Sequence, residues 1–201
     1  MKHLHTGAAG GAAGFGLALA SFAPRAHAHL IETGLGPLYD GVVHLVVTPD
    51  DLIPALMLAV LAGLRGSDHA RRVIFVLPLA WLLAGLLGAA AEVSPPGALS
   101  WVPLLVLGGL VAADWRLPSA VTTMLAAALG LFLGLANGHA LAQADPGVRG
   151  LLGVVATTFV VTTLTAAAVT AWQSGWLRIA WRVAGSWIAA SGLLLLGWSL
   201  R

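Results

Sequence analysis

Long apolar segments separated by short polar breaks constrain this chain more than any other feature of its sequence. A membrane-spanning helix needs about 20 apolar residues. Only 9% of the chain is charged and 59% is hydrophobic, a balance that neither a water-soluble globule nor a disordered chain has. An outer-membrane barrel would show alternating segments of about ten residues instead. Six apolar segments lie near residues 37–64, 72–91, 100–114, 118–138, 149–172 and 177–200.

The pattern therefore predicts an all-α membrane protein with a bundle of about six transmembrane helices. The first apolar segment is too long for one straight span and is interrupted at Thr48-Pro49-Asp50-Asp51. Because proline lacks a backbone N–H and disrupts the helical hydrogen bonds, we expect the first helix to be kinked at Pro49.

The N-terminal residues 1–28 have the pattern of a cleavable signal peptide. Lys2 provides a positive start, an apolar and glycine-rich core follows, and Ala26-His27-Ala28 fits the small-x-small cleavage rule. We expect the mature protein to consist of one six-span domain over residues 29–201. The alternative interpretation is an uncleaved first helix, which the Pro24-Arg25 break disfavours.

Arginine placement predicts how the chain is oriented in a bacterial inner membrane. Cytoplasmic loops carry an excess of Lys and Arg. With the mature N-terminus outside, the cytoplasmic side holds six arginines and the outer side keeps only two, Arg149 and Arg201. The sequence therefore predicts a multi-pass protein with both termini outside. The six arginines are Arg65, Arg71, Arg72, Arg116, Arg178 and Arg182.

Several function classes are disfavoured by residues that the sequence lacks. The chain has no cysteine, and its only lysine, Lys2, lies in the predicted signal peptide, so thiolate metal sites and Schiff-base chemistry are excluded from the mature protein. Without the predicted signal peptide, basic and acidic residues balance, which argues against a nucleic-acid partner. No motif for ATP binding or hydrolysis is present. We therefore expect a protein that is not an enzyme and binds no cofactor tightly.

Polar residues in the first apolar segment indicate a functional site, because an ionisable side chain costs about 2.5–3.5 kcal/mol at the centre of a span. Asp40 and His44 are four residues apart and share a helical face. An uninterrupted helix would place Asp51, seven residues after His44, on the same stripe. Asp50 precedes it. A histidine with several carboxylates suits a divalent cation, whereas a structural kink with Asp50 capping a helix that starts at Leu52 is the alternative.

Two further positions add candidate metal ligands. Asn137 and His139 lie at the end of the fourth apolar segment, on the same predicted side of the membrane as His44. His29 would become the mature N-terminus, where its α-amine and imidazole could chelate a metal together. The alternatives are an interfacial histidine at 139 and an incidental one at 29.

Two stretches resemble the signatures of the HupE/UreJ family of hydrogenase- and urease-associated permeases. In HLVVTPDDLIP, His44 matches the first histidine of one signature and Asp50 its aspartate, while Asp51 stands at a second histidine. In FLGLANGHA, which begins at Phe132, the glycines and the alanine fit. Leu133, Asn137 and Ala140 replace two histidines and a glutamate, and His139 falls on a variable position. The chain thus resembles a divergent member.

This resemblance implies a permease for a divalent transition-metal ion, with nickel or cobalt as the cargo. Its predicted partners are the lipid bilayer and the metal ion, with a site at His44, Asp50 and Asp51. A non-transporting accessory subunit of a membrane or maturation complex is the alternative, and a small intramembrane enzyme is disfavoured because no base or nucleophile is evident beyond the metal ligands. A small-residue stripe at Ala126, Gly130, Gly134 and Gly138 serves either internal packing or a homo-oligomer contact.

Overall fold

A computed structural model describes residues 33–143 and 147–200, which form seven α-helices, one short 3₁₀ turn and no strand. The predicted signal peptide and His29 lie outside the described residues. The helices are α1 Pro37–Val47, α2 Pro49–Gly63, α3 Ser67–Ala91, α4 Trp101–Ala113, α5 Ser119–Ala142, α6 Gly147–Ala171 and α7 Gly175–Ser199. Their bounds lie close to those predicted from the apolar segments, because proline, glycine and polar residues flank nearly every run.

The predicted kink in the first segment is a complete break between α1 and α2. Thr48 has an extended backbone (φ −103°, ψ 91°), and Pro49 is the first residue of α2, where its missing N–H costs no hydrogen bond. The two helices are bent by 74°. Thr48 is the N-cap and no side chain caps the helix. The alternative in which Asp50 caps a helix starting at Leu52 is therefore wrong.

The apolar helices identify a membrane protein, but the number of full spans is lower than the six predicted. Among the described residues, α3, α5, α6 and α7 are each long and apolar enough to cross a membrane, and the bent pair α1–α2 makes a fifth if it counts as one span. The segment near 100–114 forms α4, which has only 13 residues. At 1.5 Å per residue it reaches about 20 Å, short of the roughly 30 Å hydrocarbon core.

Glycines bring several pairs of the described helices into close contact. The Gly130, Gly134 and Gly138 stripe of α5 lies against α3, where a Cβ at Gly130 would come within 2.6 Å of the Leu77 carbonyl oxygen. Of the two interpretations of this stripe, the structure supports internal packing, because α3 covers it. Gly108 and Gly185 bring α4 and α7 together, and Gly41 and Gly150 do the same for α1 and α6.

Helix α2 lies at the centre of the bundle and is its most deeply buried element. Residues 58–62 of α2 are almost completely inaccessible to solvent. Asp51, in its first turn, accepts a hydrogen bond from Asn137 of α5. Arg65, which follows its last turn, forms an ion pair with Asp114 at the end of α4. We call these two levels the Asn137 end and the Asp114 end. The candidate ligands therefore lie at one end of a core that is packed with apolar side chains.

Candidate functional site

The bend between α1 and α2 brings His44 and Asp51 to a shared partner on α5, the Asn137 side chain. His44 Nε2 lies 3.1 Å from Asn137 Oδ1, and the Asn137 amide nitrogen donates to Asp51 Oδ2 at 2.9 Å. His44 Nε2 is also 3.8 Å from Asp51 Oδ2. Asn137 is 3% exposed and Asp51 6%. These three side chains form a buried polar group, which we call the His44–Asp51–Asn137 triad.

The orientation of the Asn137 amide follows from a third contact. Its nitrogen also donates to the Leu133 carbonyl oxygen at 3.0 Å, and a carbonyl can only accept. The nitrogen therefore faces Leu133 and Asp51, while Oδ1 faces His44. Since Oδ1 also only accepts, His44 Nε2 carries the hydrogen in this arrangement. Asn137 thus uses both donors and its acceptor within the protein.

Asp50 lies beside the triad without belonging to it. Asp50 is exposed, in the first turn of α2, whereas its neighbour Asp51 is buried. Both aspartates line a cleft of about 160 Å³, together with Phe132, Leu133 and Ala136 of α5 and residues of the segment 94–100. The cleft connects the buried Asp51 with the surface at the Asn137 end. Asp50 is therefore the more accessible of the two carboxylates in this cleft.

The remaining predicted ligands have other partners. Asp40 Oδ1 accepts hydrogen bonds from the Thr33 backbone N–H at 2.6 Å and from the Thr33 hydroxyl at 2.7 Å, so it holds the chain that leads into α1. His139 Nε2 accepts from the Gln143 amide at 3.0 Å, and its Nδ1 is buried with no hydrogen-bond partner among the described residues. Asp40 and His139 thus lie at the Asn137 end, as the triad does, but among the described residues their side chains form hydrogen bonds with Thr33 and Gln143 and not with the triad.

The triad offers few donor atoms for a metal ion. Within the described ranges no group of three or more His, Cys, Asp or Glu side chains is arranged to hold an ion, so any site here combines one imidazole, one carboxylate and one amide oxygen. Ligands about 2.1 Å from an octahedral ion lie about 3 Å apart. The 3.1 Å between His44 Nε2 and Asn137 Oδ1 fits that spacing, and the 3.8 Å to Asp51 requires its carboxylate to move closer.

A second polar group, partly buried at the Asp114 end, was not anticipated from the sequence. Asp114 pairs with Arg65 and accepts a hydrogen bond from Arg178 Nε at 2.6 Å. The Arg65 side chain is 7% exposed, and the Arg178 hydrogen bond, followed by that of Arg65, holds the pKa of Asp114 below its usual range. The sequence signal was an aspartate two residues before Arg116, on the predicted side that holds six arginines and one other acidic residue, Asp68. From the sequence alone, those arginines indicate only the orientation of the chain in the membrane.

A model of the HupE / UreJ protein family matches residues 17–195. No similar curated protein and no similar solved structure was found. The matched range contains both signature-like stretches. In the structure these stretches meet in the triad, to which the first contributes His44 and Asp51 and the second contributes Asn137. The chain belongs to the HupE / UreJ family.

Proposed function

We propose that this protein is a membrane permease for a divalent transition-metal ion, with nickel or cobalt as the cargo that its family implies. The observation that carries the proposal is the triad, in which an imidazole nitrogen, a carboxylate and an amide oxygen converge in an apolar bundle. Imidazole and carboxylate ligands suit first-row divalent metals. Ionisable residues inside membrane segments are expensive and are usually functional.

The cleft supplies a route to the triad from the Asn137 end. Both aspartates line this cleft, and Asp50 is exposed whereas Asp51 is buried. A cation would meet the Asp50 carboxylate first and exchange water for protein ligands as it moves inward. The arginine distribution, with Arg65 and Arg178 at the opposite end, supports placing this cleft on the outer side of a bacterial inner membrane.

The small number of donors supports passage rather than storage of the metal. Conduction requires binding that is weak enough to release the ion. His44 Nε2 must give up the hydrogen that it shares with Asn137 before it can bind a metal, and histidine ligands bind metals only when that nitrogen is deprotonated. Protons therefore compete with the metal, and we expect transport to weaken as the pH on the outer side falls.

An accessory role without transport is the second candidate, and one feature of the triad favours it. Asn137 stands where the family signature has a histidine, and all its hydrogen-bonding groups are satisfied by His44, Asp51 and the Leu133 carbonyl. A group satisfied in this way can hold α1, α2 and α5 together with no metal. The two candidates differ in whether the purified protein alone moves an ion.

Uptake of radioactive Ni²⁺ and Co²⁺ by proteoliposomes separates the two candidates. We expect the wild-type protein to exceed protein-free liposomes, and we expect His44→Ala and Asp50→Asn to lose most of this uptake. His69→Ala is the matched control, because His69 also makes one side-chain hydrogen bond, to Thr122 at 2.9 Å, but lies toward the Asp114 end. Uptake at the protein-free level by correctly inserted wild-type protein would favour the accessory role.

A further inference from the structure

Helices α4 and α7 contact each other more extensively than they contact the rest of the bundle. They pack closely on each other, and a Cβ at Gly108 would come within 2.6 Å of the Ala189 backbone nitrogen. Helix α7 packs extensively on α4 and on no other described helix, and α4 reaches the remaining helices mainly through α2. Only Gly185 and Gly192 are buried in α7. We call α4 and α7 the α4–α7 pair and the other helices the main body.

Cavities follow the seam between the α4–α7 pair and the main body. A cleft of about 260 Å³ separates α4 from α5, with Val106 and Ala128 among its walls. A second, of about 450 Å³, lies between Asp50 on α2 and Trp198 on α7. A third, of about 380 Å³, lies between α6 and the first half of α7. These clefts are open to the surface, and along them the two parts make fewer direct side-chain contacts that would resist sliding along the seam.

At one end of this seam, charged side chains join the two parts. Arg65 follows α2 in the main body, Asp114 follows α4, and Arg178 lies in the first turns of α7. Arg182 Nε adds a hydrogen bond to the Ala112 carbonyl oxygen at 2.9 Å, within the pair. The Arg65–Asp114 ion pair thus joins the main body to the α4–α7 pair. The Asp114–Arg178 ion pair lies within the α4–α7 pair and holds the Asp114 carboxylate in place.

We infer that the α4–α7 pair moves as one unit against the main body, pivoting on the Arg65–Asp114–Arg178 ion pairs at the Asp114 end. The glycine contacts keep α4 and α7 together, while the cavities leave room for displacement. Such a movement widens or narrows the cleft beside Asp50, because the segment 94–100 that leads into α4 forms one of its walls. This inference goes beyond the proposed function and does not depend on which ion, if any, is transported.

Distances between spin labels test the movement directly. The chain has no cysteine, so paired cysteines can be introduced without other changes. Leu194→Cys on α7 with Leu87→Cys on α3 reports across the seam, and Leu152→Cys on α6 with Leu87→Cys reports within the main body. All three positions are exposed leucines. The protein is measured in nanodiscs of phosphatidylethanolamine and phosphatidylglycerol, with and without Asp114→Asn.

We expect Asp114→Asn to broaden or displace the Leu194–Leu87 distance distribution and to leave the Leu87–Leu152 distribution unchanged. Arg178→Gln removes the more exposed partner and provides a milder second variant if Asp114→Asn yields little protein. Arg116→Gln, which removes an arginine outside these ion pairs, should behave as wild type. Superimposable Leu194–Leu87 distributions for wild type and for Asp114→Asn or Arg178→Gln would overturn the inference, as would equal broadening of both label pairs.

Discussion

The Asn137 amide nitrogen lies 2.9 Å from Asp51 Oδ2, so one residue from each of the two signature-like stretches contacts the other across the α2–α5 interface. In the first stretch Asp51 stands at a histidine position, and in the second Asn137 does. An amide donor facing a carboxylate acceptor is a complementary hydrogen bond. The two departures from the family pattern therefore form one local structural unit.

Substitutions of Asn137 test this unit. Asn137→Leu removes the donor to Asp51 and the acceptor for His44, leaving two buried polar groups without a partner. A hydrogen bond between membrane helices contributes about 0.6 kcal/mol on average and up to about 2, so we expect a loss of about 1–3 kcal/mol in unfolding free energy. Titration with denaturing detergent, followed by tryptophan fluorescence, measures it. Stability equal to wild type would show that these contacts are not maintained in the bilayer.

Asn137→His together with Asp51→His restores the family residues at both positions. We expect tighter binding of Ni²⁺, because imidazole is a softer ligand than a carboxylate or an amide. Equilibrium dialysis against Ni²⁺ and Mg²⁺ measures the change, with Asn137→Gln as the control that keeps an amide. An unchanged preference for Ni²⁺ over Mg²⁺ in the double variant would argue against metal contact at these positions.

Two helical glycines provide a matched test of helix packing. A Cβ at Gly138 would overlap the Gly85 carbonyl oxygen of α3, whereas a Cβ at Gly109 of α4 meets nothing within 4 Å. Replacing a helical glycine by alanine gains up to about 1 kcal/mol from propensity where space allows. We expect Gly138→Ala to lower the unfolding temperature and Gly109→Ala to leave it unchanged or raise it. Equal effects would contradict the α3–α5 contact.

Acid should weaken the ion pairs at the Asp114 end. The pKa of folded Asp114 is lowered chiefly by the Arg178 hydrogen bond, so these contacts stabilise the protein fully above the unfolded pKa, about 3.9. That stabilisation is lost as the pH falls through the lower folded value. Thermal unfolding in nanodiscs should therefore show a larger difference between wild type and Asp114→Asn at pH 7 than near pH 3. A constant difference across this range would mean that Asp114 is not ion-paired.

Much of the fold could be predicted because long apolar runs end at prolines, glycines and arginines. Pro49 is one of these residues, and it indicated a kink at the position where the structure has a complete break. The prediction over-counted the full spans because it included the short apolar segment 100–114, whose helix has only 13 residues. Hydrophobicity alone does not reveal that α4 rests on α7 through Gly108 and Gly185.

The candidate site was predictable only in part. His44 and Asp51 do approach each other, but through a 74° bend rather than along one continuous helical stripe. Asp40 shares the face of α1 that the spacing indicated, yet its carboxylate is bonded to Thr33. The placement of Asn137 between His44 and Asp51, and the pairing of Arg65 with Asp114, depend on tertiary contacts between distant segments. No local pattern encodes them.

Protection of a cysteine in the cleft tests the central claim most directly. Ala136 lines the cleft with Asp50 and Asp51, and the chain has no other thiol. In Ala136→Cys, we expect Ni²⁺ or Co²⁺, but not Mg²⁺, to slow labelling by a charged methanethiosulfonate reagent. This protection should disappear when His44→Ala is added, which controls for metal binding by the new thiol alone. Labelling that is equally fast with and without Ni²⁺ or Co²⁺, or protection that survives His44→Ala, would contradict a metal site at the triad.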